Sequence, residues 1–193
     1  MNIKVLVLFL TFGLLSCKTS KSEPTKESIK LQLAASYYNA LNDSKASKMK
    51  ILLRDSIVIR ENADNYEERF SQKGYIEWLE WDAVFEPTYK VLKIEQDNQL
   101  VKAKISKIDK RLSFLHEEPM VWTEVIKFNQ NKIVEVERIK YDIFKVDKFI
   151  NKREVLVTWI DKNYPELNGF LFPQTKPVAR QYLKAIELYL NEN

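Results

Sequence analysis

The sequence predicts an α+β fold, and three observations carry that expectation. Three or four β-rich runs, Tyr89–Glu95, Gln99–Asp109, Met120–Phe128 and Lys132–Ile139, succeed one another in the middle of the chain. The gaps between them are turn-prone, at Gln96-Asp97-Asn98 and Asn129-Gln130-Asn131, with a longer break at Leu112–Pro119. Gaps this short imply an antiparallel meander, because a parallel crossover needs about a dozen residues or more. Stretches with apolar residues at helical spacing flank the meander on both sides. A hydrophobic content of 45%, with 12% aromatics and only 3 Gly, then supports one packed domain over a low-complexity chain.

Side-chain period sets the register expected of the last hairpin. The even positions of one strand, Met120, Trp122, Glu124, Ile126 and Phe128, are apolar except for Glu124; those of the next are Val134, Val136 and Arg138. A three-residue loop at Gln130-Asn131-Lys132 pairs Phe128 with Val134, Ile126 with Val136 and Glu124 with Arg138. A two-residue loop sets Glu124 against Glu137, which like charges disfavour. The first register leaves one acid and one base as neighbours on an otherwise apolar face.

Taken in order, residues 1–16 read as a signal peptide: Lys4, an apolar run from Val5 to Leu15, then small residues. That run is too short to span a bilayer, which needs about 20 apolar residues. Residues 17–26 are a polar tether of low hydrophobicity. A folded part is expected over 27–142, with a helical extension over 143–193 packed on it. Helices are expected at Glu27–Leu41, with Ile29, Leu33, Tyr37 and Leu41 on one face, and at Lys45–Leu53, capped by Ser44. Ile57-Val58-Ile59 reads as a brief strand and the acid-rich Glu61–Arg69 as a surface loop. Ser71 caps a third helix, Gln72–Val84, which Pro87 stops. Beyond the meander come a helix at Val146–Asn163 and a last one capped by Thr175, with Pro177 in its first turn.

The ending Leu14-Leu15-Ser16-Cys17 resembles the lipobox of bacterial lipoproteins. The resemblance implies that Cys17 becomes the lipidated N-terminus, with a membrane as partner through that lipid and the bacterial cell envelope as location. An ordinary secretory signal or a buried structural thiol fits less well, because Cys17 is the single cysteine and a tether follows it. A lone cysteine also leaves stability to the core.

The order helix, helix, short strand, helix, meander resembles the nuclear transport factor 2-like superfamily and its polyketide-cyclase-like branch. The most specific residues are Phe128-Asn129-Gln130-Asn131-Lys132-Ile133-Val134-Glu135, with Asn131 where that branch favours glycine, together with Tyr141-Asp142 and Ser71–Leu79. The resemblance covers roughly Glu27 to Asp142. It implies a cone, a curved antiparallel sheet wrapped on helices with a pocket inside, and no single activity.

Glu124 is the acid/base candidate, because burial on an apolar face can raise a carboxyl pKa towards the range useful for proton transfer. Arg138 opposite favours the other reading, a structural ion pair with the pKa pushed down. His116, the single histidine, falls in the Leu112–Pro119 break and is expected in a solvated tip away from the cone. Asp142 either ends the hairpin or lines the rim; the first reading is preferred. Tyr37, Trp78, Trp81 and Trp122 are candidates for an aromatic pocket wall, although aromatics at such spacing also build cores.

No metal is expected, with one His, one Cys and no acids at ligand spacing. No cofactor is expected either: there is no Gly-rich phosphate loop and no Ser-His-Asp or Cys-His logic. The net charge of +4 is dispersed among acids, so nucleic acid is not an expected partner. Two readings remain. One is a non-catalytic, membrane-tethered module for a small apolar ligand or an envelope protein. The other is a small-molecule lyase or isomerase using Glu124. The sequence leaves a homodimer open.

Overall fold

The computed structural model describes residues 26–193, so the signal segment, Cys17 and the tether up to residue 25 lie outside the described residues. Helices α1 (Lys26–Asn42) and α2 (Ala46–Leu52) lead into a hairpin of β1 (Leu53–Glu61) and β2 (Tyr66–Ser71), followed by α3 (Gln72–Ala83). The meander comprises β3 (Thr88–Asp97), β4 (Leu100–Ile108), β5 (Met120–Asn129) and β6 (Lys132–Ile143), with a short α4 (Lys110–Leu115) between β4 and β5. Two helices, α5 (Val146–Asn163) and α6 (Lys176–Glu192), close the chain. The fold is α+β, with a curved, unclosed sheet and helices on both sides.

The strand order is β2-β1-β6-β5-β4-β3. The meander pairs antiparallel as expected, but β1 pairs with β6 in parallel, so the sheet is mixed. The long passage through β2, α3 and most of the meander supplies the crossover that a parallel neighbour requires. The expected surface loop at Glu61–Arg69 is largely strand β2, with Tyr66 opposite Glu61 and Arg69 opposite Val58. It is an edge strand exposed at every residue but Phe70, and its polar residues therefore show no period-two alternation.

The last hairpin combines the two registers weighed from sequence. Gln130 and Asn131 both have positive φ and form a two-residue turn, with Asn129 opposite Lys132 and Phe128 opposite Ile133. A bulge at Val134 then restores the expected pairing, Ile126 with Val136 and Glu124 with Arg138. The expected three-residue loop is thus a tight turn plus one extra residue in the strand.

Helix starts were partly legible. Ser71 Oγ accepts from the Gly74 N–H at 3.0 Å, a proper N-cap for α3. Ser44 does not cap α2: it has φ 51° and Lys45 takes the capping position. The break expected at Leu112–Pro119 contains most of α4, capped by Asp109, whose carboxylate accepts from the Leu112 N–H at 2.6 Å.

Two hydrophobic cores meet at α3. Ala34, Tyr37, Tyr38 and Leu41 on α1, spaced i, i+3, i+4, i+7, face Val101, Ile105, Trp122 and Ile126 on the concave side of the sheet. On the other side of α3, Trp81 and Phe85 join Phe114 and Leu115 of α4, with Leu156, Ile160, Phe170, Tyr182 and Ile186 of the C-terminal segment. The extension therefore buries its apolar stripe against the same helix that seats the sheet.

Candidate functional site

A cavity of about 710 Å³ opens where β1, β2 and α3 approach the connection between α5 and α6, a volume in the usual range for small-molecule sites. Its apolar wall is Ile59, Phe70, Tyr75, Trp78 and Phe172, and Glu61, Glu67 and Glu68 bring carboxylates to it. Tyr75 stacks on Trp78 with ring centres 5.2 Å apart, and Phe70 meets Tyr75 edge-on. Trp78 is placed here by being three residues from Tyr75 on α3, which puts both rings on one helix face. Phe172 is 71% exposed, a large apolar ring held over the mouth by the α5–α6 connection.

Beneath the cavity lies a polar layer. The Tyr75 and Tyr37 hydroxyls are 2.5 Å apart. Tyr38 donates to Glu124 Oε1 at 2.7 Å and the Trp122 indole N–H donates to Oε2 at 2.5 Å. Glu124 is 4% exposed and does not line the cavity. Burial raises its pKa, against the opposing pull of Arg138 and of the bonds from Tyr38 and Trp122. The sequence-based expectation of a lowered value is thus reversed. Burial likewise pushes the Tyr37, Tyr38 and Tyr75 hydroxyls up, so they act as neutral donors and acceptors.

Arg138 pulls the Glu124 pKa down, but not enough to offset burial. It sits opposite Glu124 in the ladder but spends its guanidinium elsewhere: Nη1 donates to Glu61 Oε1 and, at 2.6 Å, to the Tyr141 hydroxyl. Tyr141 in turn donates to Glu61 Oε2 at 2.8 Å. The guanidinium also lies 4.5 Å from the centre of the Trp122 ring. Burial opposes charge on Arg138, but Tyr141 and Glu61 hold its pKa up, and burial pushes Tyr141 up to about 12. The expected Glu124–Arg138 ion pair is therefore a Glu61–Arg138 pair with Glu124 one strand further in. Glu61 links the two layers, because it both lines the cavity and binds Arg138. The parallel β1–β6 pairing, with Glu61 directly opposite Arg138, brings them together.

The other sequence candidates are spread over the molecule. Tyr37 and Trp122 are in the core beside Glu124, and Trp78 is on the cavity wall. Trp81 does not share that wall; it faces the second core. Asp142 is on the outer face of the sheet, where Lys140 holds its carboxyl below the usual range, Thr123 donates to it at 3.0 Å and Lys104 stands nearby. His116 is fully buried rather than solvated: its Nδ1 meets the Glu118 carbonyl at 2.8 Å and its Nε2 accepts from the Lys145 N–H at 2.8 Å. An Nδ1–H tautomer satisfies both bonds. Pinned between the start of β5 and the entry to α5, this imidazole is a structural tie.

Three features escaped the sequence reading. Glu61 falls in the polar segment Glu61–Arg69 read as a loop, with Phe70 just beyond it, and Phe172 in the extension that matched no motif. A buried charge cluster, Asp82 with Lys107 at 2.5 Å, the Tyr89 hydroxyl at 2.8 Å and Asp109 at 3.3 Å from Lys107, had looked like dispersed surface charge. The one available signal was Asp109 three residues before Leu112, an N-cap spacing. Among the described residues no group of three or more His, Cys, Asp or Glu side chains could hold a metal ion, and no helix is long and apolar enough to cross a membrane.

No protein-family model and no curated protein matches the chain. Solved structures do match its fold. A candidate ketosteroid isomerase from Kribbella flavida is 12% identical with a TM-score of 0.51, covering 62% of this chain and 82% of its own. An LEH-like epoxide hydrolase of M. tuberculosis is 15% identical with a TM-score of 0.50, covering 69% and 98%. A protein of unknown function with a cystatin-like fold from Methylobium petroleophilum is 13% identical with a TM-score of 0.50, covering 65% and 83%. Identities this low show the fold alone: the curved sheet on its helices is the cone of the nuclear transport factor 2-like fold.

Proposed function

We propose that the chain is a non-catalytic module that holds a small, predominantly apolar and aromatic ligand in the cavity between α3, the β1–β2 hairpin and Phe172, and that a lipid on Cys17 tethers it to a membrane of the bacterial cell envelope. One observation carries the binding reading. The cavity is walled by Phe70, Tyr75, Trp78 and Phe172, while the carboxylate with a perturbed pKa, Glu124, is sealed beneath it. A general base must come within hydrogen-bond reach of the proton it removes. Glu124 has both oxygens occupied by Tyr38 and Trp122, and Glu61 is held by Arg138 and Tyr141. The tether reading is supported by the lipobox-like Leu14-Leu15-Ser16-Cys17 and the polar stretch after it.

A second reading, a lyase or isomerase, is favoured by the raised pKa of Glu124, and two of the fold neighbours are described as an isomerase and a hydrolase. Titration with a neutral fluorescent probe, N-phenyl-1-naphthylamine, separates the two. The binding reading expects enhanced emission, weakened by Trp78→Ala or Phe172→Ala and unchanged in Glu124→Gln. Turnover of a hydrophobic carbonyl compound that vanishes in Glu124→Gln overturns it. Membrane fractionation of Cys17→Ala tests the tether: release into the soluble fraction is expected, and unchanged partition refutes it.

A further inference from the structure

A second, smaller space of about 90 Å³ adjoins the cavity on the far side of Phe172, and its lining includes Trp81, Arg111, Phe149, Arg153 and Tyr182. Phe172 and Gln174 line both spaces. The niche differs sharply in charge from the cavity: it has two guanidiniums, and among the described residues no carboxylate lines it. Arg111 stacks 4.7 Å from the Trp81 ring centre, and its closest carboxylate oxygen, on Asp109, is 3.8 Å away, beyond hydrogen-bond range. Arg153 lies 6.0 Å from the Phe149 ring and has no salt-bridge partner among the described residues.

Two donors in the lining are buried without an acceptor. Trp81, only 3% exposed, has an unpartnered Nε1–H, and Arg111 has an unpartnered Nε–H. Buried donors normally find a partner, and a desolvated cation calls for an anion. A guanidinium fork matches the paired oxygens of a carboxylate or a related oxyanion. A space of this size takes a head group and no more.

We infer that this niche binds the oxyanion head of an apolar acid, a carboxylate such as an aryl or alkyl acid, whose body passes Phe172 into the aromatic cavity. The head-group site stands on the niche alone, whereas its link to the cavity rests on the ligand-binding reading above. Phe172 then has a role that its exposure otherwise leaves unexplained: its ring packs the neck between the charged and apolar parts of one ligand.

The test follows the tryptophan indole N–H resonances by NMR during titration with 1-naphthoate, the uncharged 1-naphthalenemethanol and inorganic sulfate. Trp81→Phe identifies the Trp81 signal. Arg153→Gln removes one cation that has no ion pair to lose, and its amide spectrum verifies the fold. Naphthoate is expected to shift the Trp81 signal and to bind at least tenfold more weakly to Arg153→Gln. The alcohol is expected to move Trp78, leave Trp81 still and ignore the Arg153 substitution. An unmoved Trp81 with naphthoate, or equal naphthoate affinity in Arg153→Gln, overturns the niche. Sulfate binding as tightly as naphthoate overturns the amphiphile and leaves a free-anion site. If the alcohol fails to bind while naphthoate still moves Trp81, the cavity reading falls and the head-group site survives.

Discussion

Replacing Arg138 by Met interrogates the charged layer under the cavity. Methionine keeps much of the apolar stem, which packs beside Trp122, and removes the guanidinium. Its charge-assisted bond to Glu61 contributes about 1.5–3 kcal/mol and its stacking on Trp122 about 0.5–2 kcal/mol. The side chains of Arg138 and Glu61 are 23% and 21% exposed, so solvent screening trims the sum, and a loss of about 2–4 kcal/mol is expected. The diagnostic part is its pH dependence. Glu124 has a raised folded-state pKa, so the stability its neutral form contributes is fully present below the unfolded value and is lost as pH rises through the folded value. Removing Arg138 takes away a neighbour that lowers that folded value, so Glu124 holds its proton to higher pH and the loss deepens. Urea unfolding from about pH 5 to about pH 8 should therefore show Arg138→Met losing more stability at the alkaline end than at the acid end. In a Glu124→Gln background that extra loss should vanish, because glutamine does not titrate. A loss equal at both ends, or one that persists unchanged in the Glu124→Gln background, refutes the coupling.

Asp109→Ala removes the α4 N-cap and one carboxylate from Lys107; it should cost about 2–3 kcal/mol in chemical denaturation, and a loss well under about 1 kcal/mol would put that cluster in solvent. Phe170→Ala should cost about 3–5 kcal/mol within a single cooperative transition, since Phe170 is 2% exposed in the core shared with α3; separate melting of the C-terminal helices would make them an independent unit. Gln130→Asn should stabilise by roughly 0.5–1 kcal/mol, because Gln130 has φ 49° and asparagine tolerates that region better; destabilisation would show that its 3.3 Å bond from Arg54 outweighs the backbone gain.

What the sequence disclosed followed from local period. The meander, the pairing of Glu124 with Arg138 and the bounds of α5 all come from alternation or helical spacing within one hairpin or one helix, where neighbours in sequence are neighbours in space. The bulge at Val134 shows the limit of such reasoning. Turn chemistry at Gln130-Asn131 and facial polarity further along demanded different registers, and one unpaired residue reconciles them. Neither signal alone contains that answer. Strand β2 was illegible for another reason, because on this edge strand every residue but Phe70 is exposed, which leaves no alternation to read.

The site depends on contacts of the opposite kind. Which carboxylate takes Arg138 is decided by the parallel β1–β6 pairing, which joins residues 77 apart and leaves Glu124 with two neutral donors instead of a cation. Burial outweighs the downward pull that Arg138 still exerts, so the pKa of Glu124 moves in the direction opposite to the one its antiparallel neighbour implies. Phe172 comes from further still, a segment outside the cone that supplies both a cavity wall and one side of the arginine niche. The cone sets the curvature behind the cavity, whereas the polarity of its lining is set by a polar edge strand and a C-terminal loop. Fold likeness at 12% to 15% identity, covering about two thirds of the chain, therefore speaks to the curvature and not to the ligand. Glu61 and Arg138 supply charge at the cavity and beneath it, Arg111 and Arg153 in the niche, and substitutions there discriminate between the readings.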